Sequence, residues 1–341
     1  MAWCELPMVT PNDREFRQVG TGRGGRNVNS RTDCGIESNH PSPRAFMLIN
    51  LLRLLLGLTV TVILSSCVAT RDVLHLGEEV AVVQTETRPR WEAHLICWNV
   101  HKAEDRRFQD EVQELLAALP GKDRIILCLQ EVRCSTFDFI KNLHPDRVRG
   151  HYAASWRSPL AQGSTGVLTM GNWESRTAGV ERINSPGREA YVVSPKVALR
   201  TQLAVPGGAS LQVINCHGLN VVPKSRFGRQ LDEIFATLRD PGQPAIVCGD
   251  FNTWSPGRLE ILRAKAAEVG FKEADAGRPA RSPAPRWLRC LSPINGFDPD
   301  LPLDRVFTRG VEVQECYYVN YPESSDHLPL VLRFTMDLPS E

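Results

Sequence analysis

Four nearly continuous apolar runs of strand length constrain the fold of this chain more than any other feature. They read "HLICWN", "RIILCLQ", "LQVINCHG" and "AIVCGDF", and they lie between residues 94 and 251. Strands that are covered on both faces have this composition, whereas a strand with one face in water alternates apolar and polar residues. The runs therefore predict strands buried on both sides.

Helix patterns lie between these runs. Apolar residues fall at helical spacing in "RRFQDEVQELLAAL" and again in "KSRFGRQLDEIFATL". A third helix is expected to open at Ser255, with Pro256 at its first position and Gly270 just beyond its end. Three further strand patterns follow, "LDRVFTRG", "VEVQECYYV" and "LPLVLRFTM", and residues 276–293 read as a long surface loop. Strands alternating with helices predict an α/β fold.

The N-terminal segment has a different composition. Residues 1–46 show no apolar periodicity and are expected to be a disordered extension or a mis-assigned start. The apolar run that follows Arg53 is 11 residues long, too short to span a bilayer comfortably but typical of a signal-peptide core. It ends in "LSSC", which resembles the bacterial lipobox. Residues 47–67 are therefore interpreted as a signal peptide that starts at Met47, 68–92 as a tether and 93–341 as the folded domain.

This interpretation places the protein in the cell envelope, where lipidated Cys67 would anchor it to the membrane, and we expect a monomer. A short membrane anchor, a buried core helix and a cytoplasmic location are the alternatives. The seven cysteines of the folded part are an odd number, which counts against export to an oxidising compartment. Four of them lie inside apolar strands and read as small buried residues. Cys290 and Cys316 are the one pair considered for a disulfide.

Polar side chains follow the ends of the predicted strands. They are Asn99, Glu131, His217, Asp250 and Asn252, followed later by Asp304, Asp326 and His327. Loops at strand ends bind ligands in open α/β sheets, because the sheet holds them rigidly at one crevice. Each residue taken alone also has a structural explanation, since polar residues at strand ends cap turns and satisfy backbone groups.

The chemistry of this set points to metal-assisted hydrolysis. The sequence contains neither a "GxSxG" nucleophile motif nor a "GxxxxGK" phosphate-binding loop. Carboxylate and amide oxygens without a cysteine cluster suit Mg²⁺ or Mn²⁺, and Glu131 is the best single candidate ligand.

Seven short motifs carry a family resemblance: "WNVHK", "LQEV", "STGVLTM", "NCHGLN", "GDFNTW", "LDRVF" and "SDHLPL". Their order and separations resemble the endonuclease/exonuclease/phosphatase superfamily, the DNase I-like fold, over about residues 94–336. The "GDFN.W" and "PLD.VF.RG" forms look most like its small bacterial YafD-like branch. The resemblance implies a four-layer sandwich of two packed mixed β-sheets flanked by helices, with a divalent-metal phosphoesterase site at one edge.

The resemblance also implies the metal ligands. Glu131, with Asn99 and Asp326 assisting, resembles the Mg²⁺ or Mn²⁺ site that neutralises a phosphate oxygen and the leaving oxygen.

Five further residues match positions with catalytic roles. Asp250 resembles the residue that orients and deprotonates the attacking water, with Asn252 and His217 holding phosphate oxygens. His327 resembles the imidazole that contacts the phosphate and moves a proton, and Asp304 would fix its orientation.

The net charge of the chain and the basic residues near the predicted site bear on the class of substrate. The formal net charge is +1, so no global basic field marks a dedicated nucleic-acid coat. The basic residues near the predicted site either contact a polyanion or form a solvated face; they are Lys102, Arg133, Lys224, Arg226 and Arg229. A small-molecule or lipid phosphate ester is therefore favoured over nucleic acid.

These observations predict a divalent-metal-dependent phosphoesterase that hydrolyses a phosphodiester or phosphomonoester with activated water. A metal-dependent endonuclease or exonuclease is the alternative within the same chemistry. A binding or scaffolding module without turnover is the alternative of a different class, because one fold serves many functions.

Overall fold

Strands make up most of the regular structure. The computed structural model describes residues 73–76, 90–103, 105, 107–120, 124–133, 149–157, 164–171, 177–189, 195–238, 240–280, 297–298 and 300–339. Its strands are β1 Val73–Leu76, β2 Arg90–Asn99, β3 Ile125–Arg133, β4 Arg149–Arg157, β5 Ser164–Gly171, β6 Thr177–Arg188, β7 Pro195–Ala204, β8 Ser210–His217, β9 Ala245–Asp250, β10 Lys272–Glu273, β11 Asp304–Arg309, β12 Glu312–Tyr318 and β13 Leu330–Asp337. Its helices are α1 Arg107–Ala118, α2 Lys224–Ala236 and α3 Pro256–Glu268.

The strands form two mixed sheets. One has seven strands in the order β1-β4-β5-β3-β2-β13-β12, and the other has six in the order β10-β11-β9-β8-β7-β6. Among the described strands, β2 pairs with β3 and β8 with β9 in parallel, and every other pair is antiparallel. The two parallel pairs are the four apolar runs, which confirms the prediction of strands buried on both faces.

The two sheets pack face to face. Leu95 and Cys97 of β2 share one core cluster with Val213 of β8 and Ile246 of β9. Ile96, which lies between Leu95 and Cys97 along β2, belongs to the cluster on the opposite face. Because side chains alternate along a strand, β2 contributes to two cores at once.

Helices cover the outer faces of both sheets. Phe108 and Val112 of α1 pack in the cluster on the outer face of the seven-stranded sheet. Phe227 and Leu231 of α2 pack with Leu262 of α3 on the outer face of the six-stranded sheet. The molecule therefore has the order helix, sheet, sheet, helices, and the predicted four-layer sandwich is confirmed.

The third helix begins and ends where the sequence predicts. Ser255 is its extended N-cap residue, although its side chain makes no capping hydrogen bond, and Pro256 is the first helical residue. Gly270 follows the last turn with a φ of 80°, in the left-handed region that favours glycine.

The sheet begins earlier in the chain than predicted. β2 starts at Arg90 rather than at residue 93, and β1 pairs with β4 inside the segment 68–92 that was interpreted as a tether. The four-residue sequence of β1 is too short for its pattern to stand out, and its pairing with β4 is not local. Residues 1–46, the signal-peptide segment with Cys67, and most of the predicted loop over 276–293 lie outside the described residues. Among the described residues, no helix is long and apolar enough to cross a membrane.

Four cysteines are buried in the strands, as predicted. Cys97, Cys128, Cys216 and Cys248 are free thiols with no accessible surface, and Cys316 is a free thiol of intermediate exposure. Burial raises the pKa of the Cys97, Cys216 and Cys248 thiols. Cys290, the other half of the considered disulfide, lies outside the described residues.

Candidate active site

Three of the predicted site residues lie side by side across the six-stranded sheet. Asp304, the first residue of β11, is the register partner of Asp250 at the end of β9. Asp250 is in turn the register partner of His217 at the end of β8. Neighbouring strand ends thus bring together three residues that are far apart in the sequence.

The residue before Asp250 has no room for a side chain. Gly249 has a φ of 150°, and a Cβ atom at this position would lie 1.9 Å from the carbonyl oxygen of Cys216. Only glycine allows this approach, so the "GDFN" sequence has a structural reason for its glycine. The close approach places Asp250 directly beside His217.

The seven-stranded sheet completes the surroundings of Asp250. The Asn99 side chain, at the end of β2, donates from Nδ2 to Asp250 Oδ2 over 2.9 Å. The backbone N–H of Asn252 donates to Asp250 Oδ1 over 2.9 Å. Burial raises the pKa of Asp250, and the neighbouring Asp304 acts in the same direction, against the opposing effect of His327. Asp250 is therefore a fixed carboxylate with an increased tendency to accept a proton.

His327 is held in a defined orientation beside this carboxylate. Its Nδ1 lies 2.6 Å from Asp304 Oδ2, and its Nε2 lies 3.9 Å from Asp250 Oδ2. Burial opposes protonation, but Asp304 and Asp250 outweigh it and raise the pKa of His327 to about 10. At neutral pH the ring is therefore an imidazolium whose Nε2 proton remains available to a ligand.

The loop that carries His327 is fixed by β2. Trp98 Nε1 donates to the His327 carbonyl oxygen over 3.1 Å, and Ser325 Oγ donates to the Asn99 carbonyl oxygen over 2.6 Å. Ser325 Oγ also accepts the backbone N–H of His327 over 3.1 Å. These buried bonds join the loop to the same strand that supplies Asn99.

The pKa of His217 is shifted in the opposite direction to that of His327. Burial lowers its pKa well below the usual value, and the nearby Lys196 and His327 lower it further. Its Nε2 lies 3.0 Å from Lys196 Nζ and 3.7 Å from both Glu131 Oε1 and Asp250 Oδ2. An ammonium can only donate, so Nε2 accepts, and the proton of the neutral ring is on Nδ1. In this structure His217 Nε2 therefore offers no proton to a phosphate.

Asn252 is likewise engaged within the protein. Its Nδ2 donates to the Gly218 carbonyl oxygen over 3.0 Å and lies 3.5 Å from Asp250 Oδ2, while its Oδ1 accepts Trp254 Nε1 over 3.1 Å. Contact of Asn252 and His217 with a phosphate stays a prediction.

Backbone strain is concentrated around this site. Among the described residues, five that are not glycine have a positive φ: His101, Lys102, Ala103, Glu131 and Asn252. Two of them are predicted site residues, and the other three form the turn directly after Asn99. Left-handed backbone costs roughly 1–3 kcal/mol for such residues and clusters at functional sites. The distribution of strain therefore supports a functional reading of the predicted set.

The predicted metal ligands are not equally placed. Glu131 lies within an irregularity in the pairing of β3 with β5, and its side chain retains 24% exposure, so the carboxylate is accessible. Asn99 uses its Nδ2 on Asp250 and its Oδ1 on the backbone N–H of His101. Asp326 is exposed and makes no hydrogen bond or ion pair with any described residue. The assignment of these three as ligands stays a prediction.

A second group of acidic and histidine side chains could hold a cation. Ligand atoms of Asp250, Asp304 and His327 all lie within 4.8 Å of one another, and Asp304 Oδ1 is buried without a hydrogen-bond partner among the described residues. However, Asp304 Oδ2 and His327 Nδ1 already share a hydrogen bond with each other, which engages one possible ligand atom of each residue. This group fits proton transfer better than metal binding, whereas the accessible Glu131 carboxylate fits a hard cation.

Sequence reasoning missed two residues of the site. Lys196 is the second residue of β7 and Glu189 lies just after β6, and neither belongs to the motifs that ended the apolar runs. Their placement depends on antiparallel pairing of β6, β7 and β8, which no local sequence pattern reveals. Of the predicted basic residues, Lys224 and Arg229 are exposed on α2, and Arg226 donates to the Arg188 carbonyl oxygen over 3.2 Å.

Comparisons with known proteins agree with this geometry. The model of the Endonuclease/Exonuclease/phosphatase family matches residues 96–327. A UPF0294 protein of Vibrio cholerae serotype O1 is 29% identical over 247 residues, which cover 72% of this chain and 78% of that protein. UPF0294 proteins are YafD-like, which confirms the predicted branch.

Solved structures share the fold. The endonuclease/exonuclease/phosphatase from Beutenbergia cavernae superposes with a TM-score of 0.54 at 16% identity, covering 73% of this chain and 72% of that chain. The human Nocturnin catalytic domain with bound sulfate anion gives a TM-score of 0.53 at 20% identity, covering 73% and 99%. The chain thus belongs to the endonuclease/exonuclease/phosphatase family, whose members are usually hydrolases of phosphoester bonds.

Proposed function

We propose that this protein is a divalent-metal-dependent phosphoesterase that hydrolyses a phosphodiester or phosphomonoester with an activated water molecule. The observation that carries the proposal is the group of Asp304, Asp250 and His327, fixed by Asn99 from the opposite sheet. It places a carboxylate that can accept a proton beside an imidazolium that can contact an anion. A base that accepts the proton of water and a positive charge near the phosphate oxygens both accelerate hydrolysis of a phosphate ester.

Asp250 acts as the general base in this proposal. Hydrogen bonds from Asn99 and from the Asn252 backbone hold both of its oxygens, so its direction relative to the site is fixed. A raised pKa brings a carboxylate closer to the pH at which it exchanges protons efficiently. Asp250 takes the proton of the attacking water.

His327 and Asp304 act as a pair. The Asp304 carboxylate holds the ring through Nδ1, which leaves Nε2–H directed away from that bond. The imidazolium contacts a phosphate oxygen through Nε2 and stabilises negative charge that develops during the reaction.

Glu131, with Asn99 and Asp326, would hold the metal, and Mg²⁺ or Mn²⁺ is the ion that suits these ligands. When bound, the ion supplies Lewis-acid stabilisation of a phosphate oxygen and of the leaving oxygen. Glu131 contributes an accessible carboxylate. Asn99 links this group to Asp250, because its amide bonds directly to that carboxylate.

We further propose that the substrate is a small-molecule or lipid phosphate ester. The net charge of +1 provides little attraction for a polyanion, and binding of duplex DNA depends on neutralising several phosphates at once. Turnover of small phosphodiesters is expected to exceed that of duplex DNA. Rapid, strongly salt-sensitive nicking of supercoiled plasmid by the purified protein would instead support the nuclease alternative.

A lipid anchor at Cys67 in the cell envelope remains part of the proposal. The buried thiols remove one objection to export, since burial and a raised pKa keep the thiolate fraction of Cys97, Cys216 and Cys248 low. Cys67→Ser should abolish labelling by a fatty-acid analogue and leave the precursor uncut in bacterial cells. An unmodified N-terminal residue 1 in the mature protein would contradict the anchor.

The direct test of the proposed function is hydrolysis of bis(p-nitrophenyl) phosphate by the purified full chain. Hydrolysis should require Mg²⁺ or Mn²⁺, stop on chelation and resume when the metal is restored. A panel of phosphomonoesters, phospholipids and nucleic acids under the same conditions then ranks substrate classes. The non-catalytic alternative predicts no metal-dependent hydrolysis of any of them.

A further inference from the structure

Lys196 is a largely covered cation of intermediate exposure that no motif of the sequence identifies. It is the second residue of β7, and its side chain is 14% exposed. Its ammonium nitrogen lies 3.0 Å from His217 Nε2, and that same ring nitrogen lies 3.7 Å from Glu131 Oε1 and from Asp250 Oδ2. One imidazole nitrogen therefore separates the ammonium from both functional carboxylates.

The ammonium keeps hydrogen-bonding capacity for a ligand. A lysine ammonium has three protons, and one of them is donated to His217. The Glu189 carboxylate is 3.9 Å away, which is within ion-pair range but too long for a hydrogen bond. Within the described part of the chain, the remaining two protons have no hydrogen-bond acceptor.

Neutralising the charge of Glu189 does not fully explain the position of the Lys196 ammonium. Glu189 Oε1 accepts the backbone N–H of Asn220 over 2.7 Å, so the carboxylate also holds the loop that follows His217. A lysine that served only as its counter-ion would be expected to bond to it directly, since charge-assisted hydrogen bonds are shorter than 3 Å. The shortest contact of Lys196 is instead to Nε2 of His217, on the side of the active site.

We propose that Lys196 binds a phosphate oxygen of the substrate, and that His217 is a positioning residue that holds the ammonium through its Nε2 lone pair. This assignment rests on the proposed phosphoesterase function and deepens it. The ammonium of Lys196 would then provide positive charge near Asp250 and Glu131, through its contact with His217. His327 provides a second positive charge near Asp250. A phosphate group between them would be contacted by two cations from opposite directions.

The assignment also changes the role of His217. The ring cannot donate from Nε2 while it accepts from Lys196, so its contribution to phosphate binding is indirect. His217→Gln offers an amide oxygen as a replacement acceptor, whereas His217→Leu removes the acceptor at similar volume. Phosphate affinity should therefore be weakened more by His217→Leu than by His217→Gln.

The main test measures binding of inorganic phosphate by calorimetry in the presence of Mg²⁺, together with KM and kcat for bis(p-nitrophenyl) phosphate. Lys196→Met removes the charge at similar length and should weaken phosphate binding and raise KM by roughly tenfold to a hundredfold. The change in kcat should be smaller. Lys196→Arg keeps a cation and should recover most of the affinity.

Matched variants separate binding from folding. Lys196→Met leaves buried Glu189 without the ammonium, so the double variant Lys196→Met/Glu189→Gln removes both charges and should restore stability without restoring phosphate affinity. Lys265→Met is the lysine control. Lys265 of α3 forms an ion pair with Asp232 of α2, away from the strand ends that carry the site residues. It should bind phosphate like the wild type.

The outcomes distinguish the two proposals. Wild-type phosphate affinity in the double variant, with hydrolysis intact, would overturn the role of Lys196 and leave the phosphoesterase function standing. Phosphate binding that depends on Lys196 in a protein that hydrolyses no phosphate ester would support the subsite and overturn the proposed reaction. A wild type that does not bind phosphate at all would overturn the subsite.

Discussion

Two histidines flank Asp250 at nearly equal distance, yet their pKa values are shifted in opposite directions. His327 Nε2 lies 3.9 Å and His217 Nε2 lies 3.7 Å from the same oxygen, Asp250 Oδ2. Both rings are buried. The pKa of His327 is raised to about 10, whereas that of His217 is lowered well below its usual value.

The charged partner of each ring explains the difference: Asp304 lies at Nδ1 of His327, and Lys196 lies at Nε2 of His217. Burial alone lowers the pKa of both histidines, because it penalises the charged form. Asp304 adds a carboxylate to the ring of His327 and reverses this effect. Lys196 adds an ammonium to the ring of His217 and reinforces it. Burial lowers the pKa of both rings, and the neighbouring charge decides whether that effect is reversed, as in His327, or reinforced, as in His217.

Removing the carboxylate between the two rings should have the largest effect. Asp250→Asn keeps shape and burial but removes the general base, so kcat is expected to fall on the order of a hundredfold or more. Circular dichroism and thermal unfolding should show an intact fold. Asp232→Asn, at an exposed carboxylate on α2, is the control and should retain activity. Full turnover by Asp250→Asn would refute its assignment as the base.

Removing the partner of the charged ring should have the next largest effect. Asp304→Asn leaves His327 in place but takes away the carboxylate bonded to Nδ1, so the ring loses its orientation and its main source of positive charge. Loss of an orienting partner typically reduces activity by about ten- to a hundredfold, and kcat should fall accordingly. A kcat like that of the wild type would show that the Asp304–His327 bond is structural only.

Substitution of Glu131 should change the Mg²⁺ concentration that activity requires rather than kcat at saturating Mg²⁺. Glu131→Gln replaces a charged oxygen ligand with a neutral one, so half-maximal activity should require roughly tenfold more Mg²⁺. Saturating Mg²⁺ should restore most of the rate. Glu233→Gln, on the exposed face of α2, is the control. An unchanged Mg²⁺ titration for Glu131→Gln would move the ligand elsewhere.

Much of the fold was predictable because local sequence patterns determine most of its strands and helices. The four apolar runs became the two parallel strand pairs, and the apolar spacings of α1 and α2 became their buried faces. β1 was missed because a four-residue strand has no measurable period and depends on pairing with β4, far away in the sequence. Predictions from local patterns therefore fail first at short edge strands.

Site residues were predictable when they lie within the motifs that resemble the family. Asp250, Asp304 and His327 could be brought together by resemblance, and the structure places them in one cluster. Lys196 could not, because its neighbour His217 lies on an adjacent antiparallel strand and the contact depends on register. The charge state of His217 was equally hidden, since it follows from that contact and from burial.

The smallest expected effect concerns His151, a third buried histidine, which lies away from the site. It tests how burial and a neighbouring ring together set a histidine pKa. His151 of β4 is buried, and its Nδ1 lies 2.9 Å from His75 Nδ1. Burial, then His75 and Arg149, lower its pKa to about 4, so the folded state binds fewer protons than the unfolded state between this value and the ordinary value of 6.5. Stability should therefore fall as pH decreases through that window.

For His151 alone the loss between pH 7 and pH 5 should be on the order of 1 kcal/mol, after allowing for its partial exposure to solvent. It is measured as the difference in urea unfolding free energy between wild type and His151→Gln, because the other histidines are common to both proteins. His75→Gln should keep most of the pH dependence, since burial is the larger cause of the shift. If His75→Gln abolishes it instead, the neighbouring ring rather than burial controls the pKa of His151.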